Sequence, residues 1–143
     1  MGQLNDMIEK FERASRNLKT SIRDAFLQTQ EDYVELNLDQ MLHGITSDGF
    51  VIGLYENEAY AIEKHIRNPL AGYGIVDLRD EGNFYAATYM SLNGNIISIQ
   101  SADPKDPQLE KKYSTKIWGL TYENRRKYIQ VYYAPNLIKK LGL

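Results

Sequence analysis

An aspartate, a glutamate and a lysine in the last third of the sequence have the residue types of a metal-dependent nuclease. Asp103, Glu110 and Lys112 follow the order of a site in which two carboxylates hold Mg²⁺ and a lysine steadies the attacking water. Such chemistry needs both carboxylates on adjacent strands, and Pro104 and Pro107 remove backbone donors from this region. The spacing therefore favours a charged, solvated linker, and a small metal-dependent nuclease stays open as an alternative.

Other residues with ligand chemistry lack the companions that a site requires. Asp77, Asp80 and Glu81 offer oxygen ligands without the alternating spacing and closing glutamate of a calcium loop, which favours a polar turn. His43 and His65 have no partner at ligand spacing, and the chain has no cysteine. Phosphate-binding loops, dinucleotide fingerprints and nucleophile elbows do not occur in the sequence. We therefore predict that the protein is not an enzyme and has no catalytic residue, metal site or cofactor.

A basic and aromatic run lies near the C-terminus. Arg125, Arg126 and Lys127 stand directly before Tyr128, a mixture of cations and rings that single-stranded nucleic-acid binders also use. Consecutive residues of a helix point in different directions, so the three cations do not form one stripe. The run favours a solvated helix start or a salt-bridging contact between subunits, and it supplies our first candidates for assembly.

Residues 1–43 predict a long helix. Between Gln3 and His43 there is no glycine or proline, and apolar residues recur every three or four positions. The polar residues Gln28–Gln30 interrupt this stripe, so we predict a break there, and Gly44 ends the helix. One small core cannot cover a helix of this length, so part of it is expected to project or to pack on another subunit.

The middle of the chain predicts a small antiparallel sheet. Strand-like runs at residues 45–55 and 75–100 alternate with turn residues. The strongest hairpin signal is Asn93–Gly94, with strands predicted over Phe84–Met90 and Asn95–Gln100.

Two further helices are predicted from capping residues. Asn57 is placed to cap a helix over Glu58–Arg67, and Thr121 to cap a last helix over Tyr122–Tyr133. Pro135 is expected to end that helix.

The segment from Pro135 to Leu143 is predicted to dock on another subunit, and folding back onto its own domain stays open as the alternative. It is too short to hold a helix alone, and four apolar residues stand among two lysines. These four complete our set of assembly candidates: Leu137, Ile138, Leu141 and Leu143.

Together these elements predict one α+β domain, with a long N-terminal helix, a small antiparallel sheet, and a C-terminal helix and tail. The length of 143 residues fits a single domain. We divide it into a helical arm (1–43), an α+β core (44–120), and a C-terminal helix with its docking tail (121–143).

Charge and aromatic content are unevenly distributed. Net charge is −3 over residues 1–43, −5 over 44–104 and +6 over 105–143. This asymmetry suits contact between unlike faces of neighbouring subunits, or between the tail and an acidic partner such as DNA. Tyrosine, with 11 copies against 4 phenylalanines, offers rigid contact faces with a polar tip.

No apolar stretch is long enough to span a membrane, and no export signal is seen.

Three segments resemble structural proteins of phages and prophages that sit at the head–tail junction as connector, neck or tail-completion subunits. They are Asp39–Gly44 with Ser47–Tyr55, then Val76–Tyr85, and finally Lys112–Tyr113 with Ile117–Leu120. The second segment resembles a Leu-Arg-x-Thr-Gly-x-aromatic phrase of that family, with Glu81 in place of the threonine. The resemblance covers roughly residues 35–122.

The resemblance implies a subunit of a ring below the portal, assembled in the bacterial host cytoplasm and present in the virion. Its implied partners are copies of itself in a cyclic oligomer, the portal or other connector and tail proteins, and DNA passing through the channel without sequence specificity. A long helix, abundant tyrosine and opposite charge towards the two ends agree with a subunit that contacts its own copies. Besides the nuclease, a regulatory binding protein of a mobile element remains an alternative.

Overall fold

The computed structural model describes residues 2–94 and 96–143 and shows an α+β fold, as the sequence predicts. Its α-helices are α1 Gly2–Gln28, α2 Gln30–Leu42, α3 Glu58–Arg67, α4 Asn83–Ala86, α5 Asp106–Tyr113, α6 Tyr122–Lys127 and α7 Ala134–Lys140. Short 3₁₀ turns lie at Pro69–Ala71 and Thr115–Ile117, and a π-helical segment, Tyr128–Tyr133, joins α6 to α7. Strands β1 Thr88–Asn93 and β2 Ile96–Ser101 form an antiparallel pair.

The predicted break and stop of the N-terminal helix are confirmed. Thr29 separates α1 from α2, and its hydroxyl donates a 2.7 Å hydrogen bond to the carbonyl of Ala25. Gly44 follows α2 with a φ of +75°, and a Cβ at this position would clash with Ile75. Met1, the first residue of the predicted arm, lies outside the described residues.

The sheet is smaller than predicted. The hairpin around Asn93–Gly94 is confirmed for β1 and β2, with Met90 opposite Ile99, while Asn95 lies outside the described residues. The prediction of strands over residues 45–55 and at 75–78 is wrong, because only the isolated bridges Ile45–Val51 and Leu54–Ile75 occur there.

Backbone hydrogen bonds explain why no ladder forms in that region. The N–H of Ile52 donates to Gly44, whereas the N–H of Val76 donates to Gly53, so neighbouring residues bond to different segments. The predicted strand over Phe84–Met90 is also shorter than expected. Asn83–Ala86 forms α4, and β1 starts only at Thr88.

The core lies where α2 meets the loops on either side of α3 and α5. Its buried apolar residues are Met41, Ile52, Val76, Leu78, Phe84 and Ile117. Asn37 and Gln40 on α2 add polar anchors to this packing. Asn37 accepts a 2.8 Å hydrogen bond from the N–H of Gly119, and Gln40 accepts a 2.9 Å bond from the N–H of Thr121. These bonds fix the start of α6 against α2.

The C-terminal helix is longer than predicted. Thr121 caps it by accepting a hydrogen bond from the N–H of Asn124, as expected. The predicted end before Pro135 is wrong, because α7 runs to Lys140. A proline ring clashes with the carbonyl four residues earlier in an α-helix, and here that residue, Val131, lies in the wider π-helical segment. The widened turns let the helix pass the proline.

Candidate assembly site

The first half of α1, residues 2–13, is not covered by the rest of the described chain, and it is called the free arm below. Residues 2–13 are all exposed, and the first buried residue of α1 is Ala14. Four apolar side chains of this arm lie on one face, with exposed fractions of 57% for Leu4, 53% for Met7, 46% for Ile8 and 58% for Phe11. The projection expected from the length of the predicted helix is thus present in the fold.

The second half of α1 is partly covered by α7, while Leu18 and Ile22 stay 42% exposed. The two helices pack together, and the buried residues of α1 are Ala14, Ser21 and Ala25. Phe26 contacts Tyr133 with ring centroids 6.3 Å apart, which joins α1 to the π-helical segment as well. The folded chain therefore uses its own C-terminus to bury part of the apolar face of α1.

The predicted docking tail is divided by this packing. Leu137 and Leu141 are half-buried within the chain itself, which favours the alternative of folding back for these two residues, and docking of the tail on another subunit stays a prediction. Ile138 and Leu143 are each 51% exposed and stay accessible to a partner. The sequence analysis kept folding back only as an alternative, because it expected no helix in the tail and so did not consider the four-residue spacing of Leu137 and Leu141.

The basic run is exposed on α6. Arg125, Arg126 and Lys127 all lie on the surface, and none of them forms an ion pair with a carboxylate in the described part of the chain. Arg125 and Arg126 line a shallow groove of about 290 Å³ together with Ile129. An open groove with guanidinium groups beside an apolar side chain suits an acidic protein surface or a phosphate backbone.

A buried ion pair stabilises the loop that follows α3. Lys64 and Asp77 are 5% and 1% exposed, and the Nζ of Lys64 lies 2.7 Å from the Oδ1 of Asp77. The amide of Asn68 and the backbone N–H of Arg79 also donate to this carboxylate, at 2.8 and 2.9 Å. Burial alone would raise the pKa of Asp77, but these donors outweigh it and lower the pKa below its usual range.

Sequence reasoning placed Asp77 in a polar turn and did not single out Lys64. The sequence around each of these two residues nevertheless indicates that its charge is buried. Asp77 stands alone in the apolar run Ile75–Leu78, and Lys64 lies three residues after Ala61 on one face of α3. A lone charge on each of two apolar surfaces indicates a buried pair.

The residues considered for nuclease chemistry lie on a turn and a helix. Asp103 accepts a 2.8 Å hydrogen bond from the N–H of Lys105, while Glu110 and Lys112 belong to α5. Burial, followed by the nearby charge of Asp106, raises the pKa of Glu110. Within residues 2–94 and 96–143, no three His, Cys, Asp or Glu side chains are grouped so that they could hold a metal ion.

An open cavity of about 390 Å³ lies between α3 and α5. Its charged lining, apart from the paired Lys64, is balanced in sign: Arg79, Lys105 and Lys112 against Glu56, Asp80 and Glu81. This balance gives no preference for a ligand of one charge. None of the described helices has the length and apolar character needed to cross a membrane.

Comparison with known proteins adds no family to this description. No protein-family model matches the chain, and neither a curated protein nor a solved structure matches it significantly.

Proposed function

We propose that this protein is a virion structural subunit that joins copies of itself into a ring at the head–tail junction of a phage. Its partners there are the portal or other connector and tail proteins, and DNA passes through the ring without sequence-specific contact. The resemblance of Asp39–Gly44 with Ser47–Tyr55, and of Val76–Tyr85, to junction proteins suggests the location.

The observation that carries the proposal is the amount of apolar surface exposed by the isolated chain. Besides the arm, exposed residues occur on the loop before α3, on α3 and on β2: Phe50 at 71%, Leu54 at 69%, Ile66 at 77% and Ile96 at 70%. Soluble monomers rarely expose extended apolar patches, whereas assembly subunits bury them between copies.

The charge distribution supports contacts between unlike faces. Segment 105–143 carries +6, and Arg125, Arg126 and Lys127 display part of that charge on the surface. Segment 44–104 carries −5. A ring is built from heterologous contacts, in which one patch meets a different patch on the neighbour, and opposite charges favour such a contact.

Disruption of the gene in a phage that encodes this chain tests the proposal. The expected result, seen by electron microscopy, is DNA-filled heads and separate tails, with joined particles restored when the intact gene is supplied in trans. Fully joined, infectious particles in the disrupted phage would overturn the proposal.

A pair of variants tests the basic surface within the same assay. Arg125→Ala with Arg126→Ala is expected to reduce the yield of joined particles at least tenfold. The matched control, Lys105→Ala with Lys111→Ala, removes two exposed cations from α5 and its N-terminus and should leave the yield unchanged.

A further inference from the structure

A buried carboxylate near the start of α5 has one oxygen without a hydrogen-bond donor. Asp106 is 5% exposed, and its Oδ2 accepts a 3.1 Å hydrogen bond from the backbone N–H of Ser101. Its Oδ1 is also buried, and within the described part of the chain no group donates to it. A buried acceptor without a donor is costly, above all when it carries charge, so this oxygen calls for a partner.

Glu110 places a second carboxyl group beside this oxygen. It follows Asp106 by four residues on α5, a spacing that brings two side chains together on one face of a helix. The two carboxyl groups lie within hydrogen-bonding reach of each other, and Glu110 is half-buried. Two ionised carboxylates can only repel each other, whereas a protonated carboxyl donates to an ionised one. A proton on Glu110 therefore supplies the donor that the Oδ1 of Asp106 lacks.

The surroundings of the two carboxyl groups decide which of them holds the proton. Asp106 stands in the first turn of α5, where the helix dipole favours an anion, and it also accepts the N–H of Ser101. Glu110 lies one turn further along the helix, where the dipole acts weakly. Burial, followed by the charge of Asp106, raises the pKa of Glu110. The proton is therefore expected on Glu110, with Asp106 as its acceptor.

The neighbouring elements bring no cation to this pair. The end of β2 contributes the uncharged Ser101, and the segment after the second 3₁₀ turn contributes Trp118. Neither Asp106 nor Glu110 forms an ion pair within the described residues. The charged residues nearest to them along the chain are Asp103, which accepts the N–H of Lys105, the exposed Lys111 and Lys112, and Lys116, which pairs with Asp48.

Trp118 connects the pair to the core. Its Nε1 lies near the carboxyl group of Glu110 but, within the described chain, forms no hydrogen bond. Its ring stacks on Phe84, a core residue, with ring centroids 5.3 Å apart. A second negative charge beside Asp106 would therefore act on the contact between α5 and the core.

We propose that Glu110 holds a proton that it donates to the Oδ1 of Asp106, and that release of this proton loosens the packing of α5 against Trp118. The step is an ionisation: the O–H bond of Glu110 breaks, its electron pair stays on the carboxylate, and the proton passes to water. The pair is thus a pH-sensitive contact inside one chain. The inference goes beyond the proposed function, because neither the ring nor its location in a particle depends on it.

Trp118 is the single tryptophan of the sequence, so its fluorescence reports on this contact directly. Excited where tyrosine does not absorb, it should show a pH transition with a midpoint above 4.5, the ordinary pKa of a glutamate. Glu110→Gln keeps a donor towards Asp106 but cannot ionise, so the transition should disappear. Asp106→Asn removes the neighbouring charge and should lower the midpoint. The matched control, Glu12→Gln on the free arm, should leave the midpoint unchanged.

Three results of this titration would overturn the proposal. The same transition in Glu110→Gln would assign it to another group, and an unchanged midpoint in Asp106→Asn would show that the two carboxyl groups are not coupled. A midpoint that Mg²⁺ lowers further than NaCl of equal ionic strength would place a metal cation, not a proton, between the two groups. Far-UV circular dichroism at both ends of the titration verifies that each variant keeps its helices.

Urea titrations at several pH values provide an independent readout. A group whose pKa is raised by folding contributes stability below its unfolded pKa, and that contribution is lost as pH rises through the folded value. Glu110→Gln should therefore unfold at the urea concentration of the parent at acid pH, and at a higher concentration above the transition. Any acid effect of Asp77 is common to both chains and cancels in this difference. A difference that does not vary with pH would overturn the proposal, and the phage disruption assay would still decide the proposed function.

Discussion

Lys64 and Asp77 form an ion pair that is buried inside the domain. Besides Lys64, the hydroxyl of Tyr55, the amide of Asn68 and the N–H of Arg79 donate to Asp77. The ammonium of Lys64 also donates to the carbonyl of Arg79. Removing one partner of such a pair costs more than the pair itself contributes, because the other charge stays buried without compensation.

Substituting Lys64 should therefore be among the most damaging single changes in the chain. Lys64→Ala is expected to lower the free energy of unfolding by about 3–5 kcal/mol in urea titrations. The control is Arg67→Ala, which removes an exposed cation 3.5 Å from Glu63 on the same helix and should change little. Equal losses in the two variants would show that the buried pair does not stabilise the fold.

The lowered pKa of Asp77 predicts a specific dependence on pH. A carboxyl whose pKa is lower in the folded state contributes stability above its unfolded pKa of about 4, and that contribution is lost as pH falls through the folded value. The stability of the parent should therefore fall below about pH 4 more steeply than that of Asp77→Asn. Parallel curves from urea titrations at several pH values would contradict this cause.

The nuclease alternative has its own test at the residue scale. Because Glu110 and Lys112 lie on α5 and Asp103 in a turn, we predict no cleavage of plasmid DNA with Mg²⁺ or Mn²⁺. Agarose gels of supercoiled plasmid measure this directly. Cleavage by the parent that disappears in Glu110→Ala would contradict the prediction.

At the scale of elements, α7 and the π-helical segment hold the second half of α1 to the domain. The hydroxyls of Thr29 and Tyr128 lie 2.7 Å apart, and Tyr128 is buried between α1 and α2. Helix α7 also packs against α1, and Leu137 and Leu141 are half-buried.

Deletion of residues 136–143 should therefore destabilise the chain by itself. Loss of the two half-buried leucines is expected to cost about 2–3 kcal/mol and to lower Tm by roughly 5–10 °C. The control, Ile138→Ser, changes an exposed residue of the same helix and should leave Tm nearly unchanged. A truncated protein with the Tm of the parent would show that α7 does not stabilise α1.

Local signals predicted the elements that local chemistry determines. The stripe in α1, the break at Thr29, the caps Asn57 and Thr121, and the Asn93–Gly94 turn each depend on neighbouring residues. Non-local contacts decided the rest. Nothing near residues 45–55 indicates that their backbone bonds to Gly44 and Gly74 instead of to one partner strand.

The same division applies to the candidate site. The exposed run Arg125–Lys127 could be predicted because charge alone favours the surface. The half-burial of Leu137 and Leu141 could not be predicted in the same way. It depends on α7, which continues the C-terminal helix past Pro135 because a π-helical segment precedes it. Whether an apolar stripe faces its own chain or a partner depends on where the other helices end.

At the scale of the whole molecule, the folded chain leaves apolar side chains exposed on residues 2–13, on α3 and on β2, together with exposed cations on α6. Cyclic contacts between unlike faces, as proposed above, would cover part of this surface. A chain that makes such contacts is suited to a defined, closed assembly at one place in a particle.

Quantitative mass spectrometry of purified phage particles that encode this chain tests the central claim most directly. A ring subunit should be present at a small, fixed number of copies per particle, in constant ratio to the portal protein through successive purification steps. A chain that is abundant in the infected cell but absent from purified particles would contradict the account.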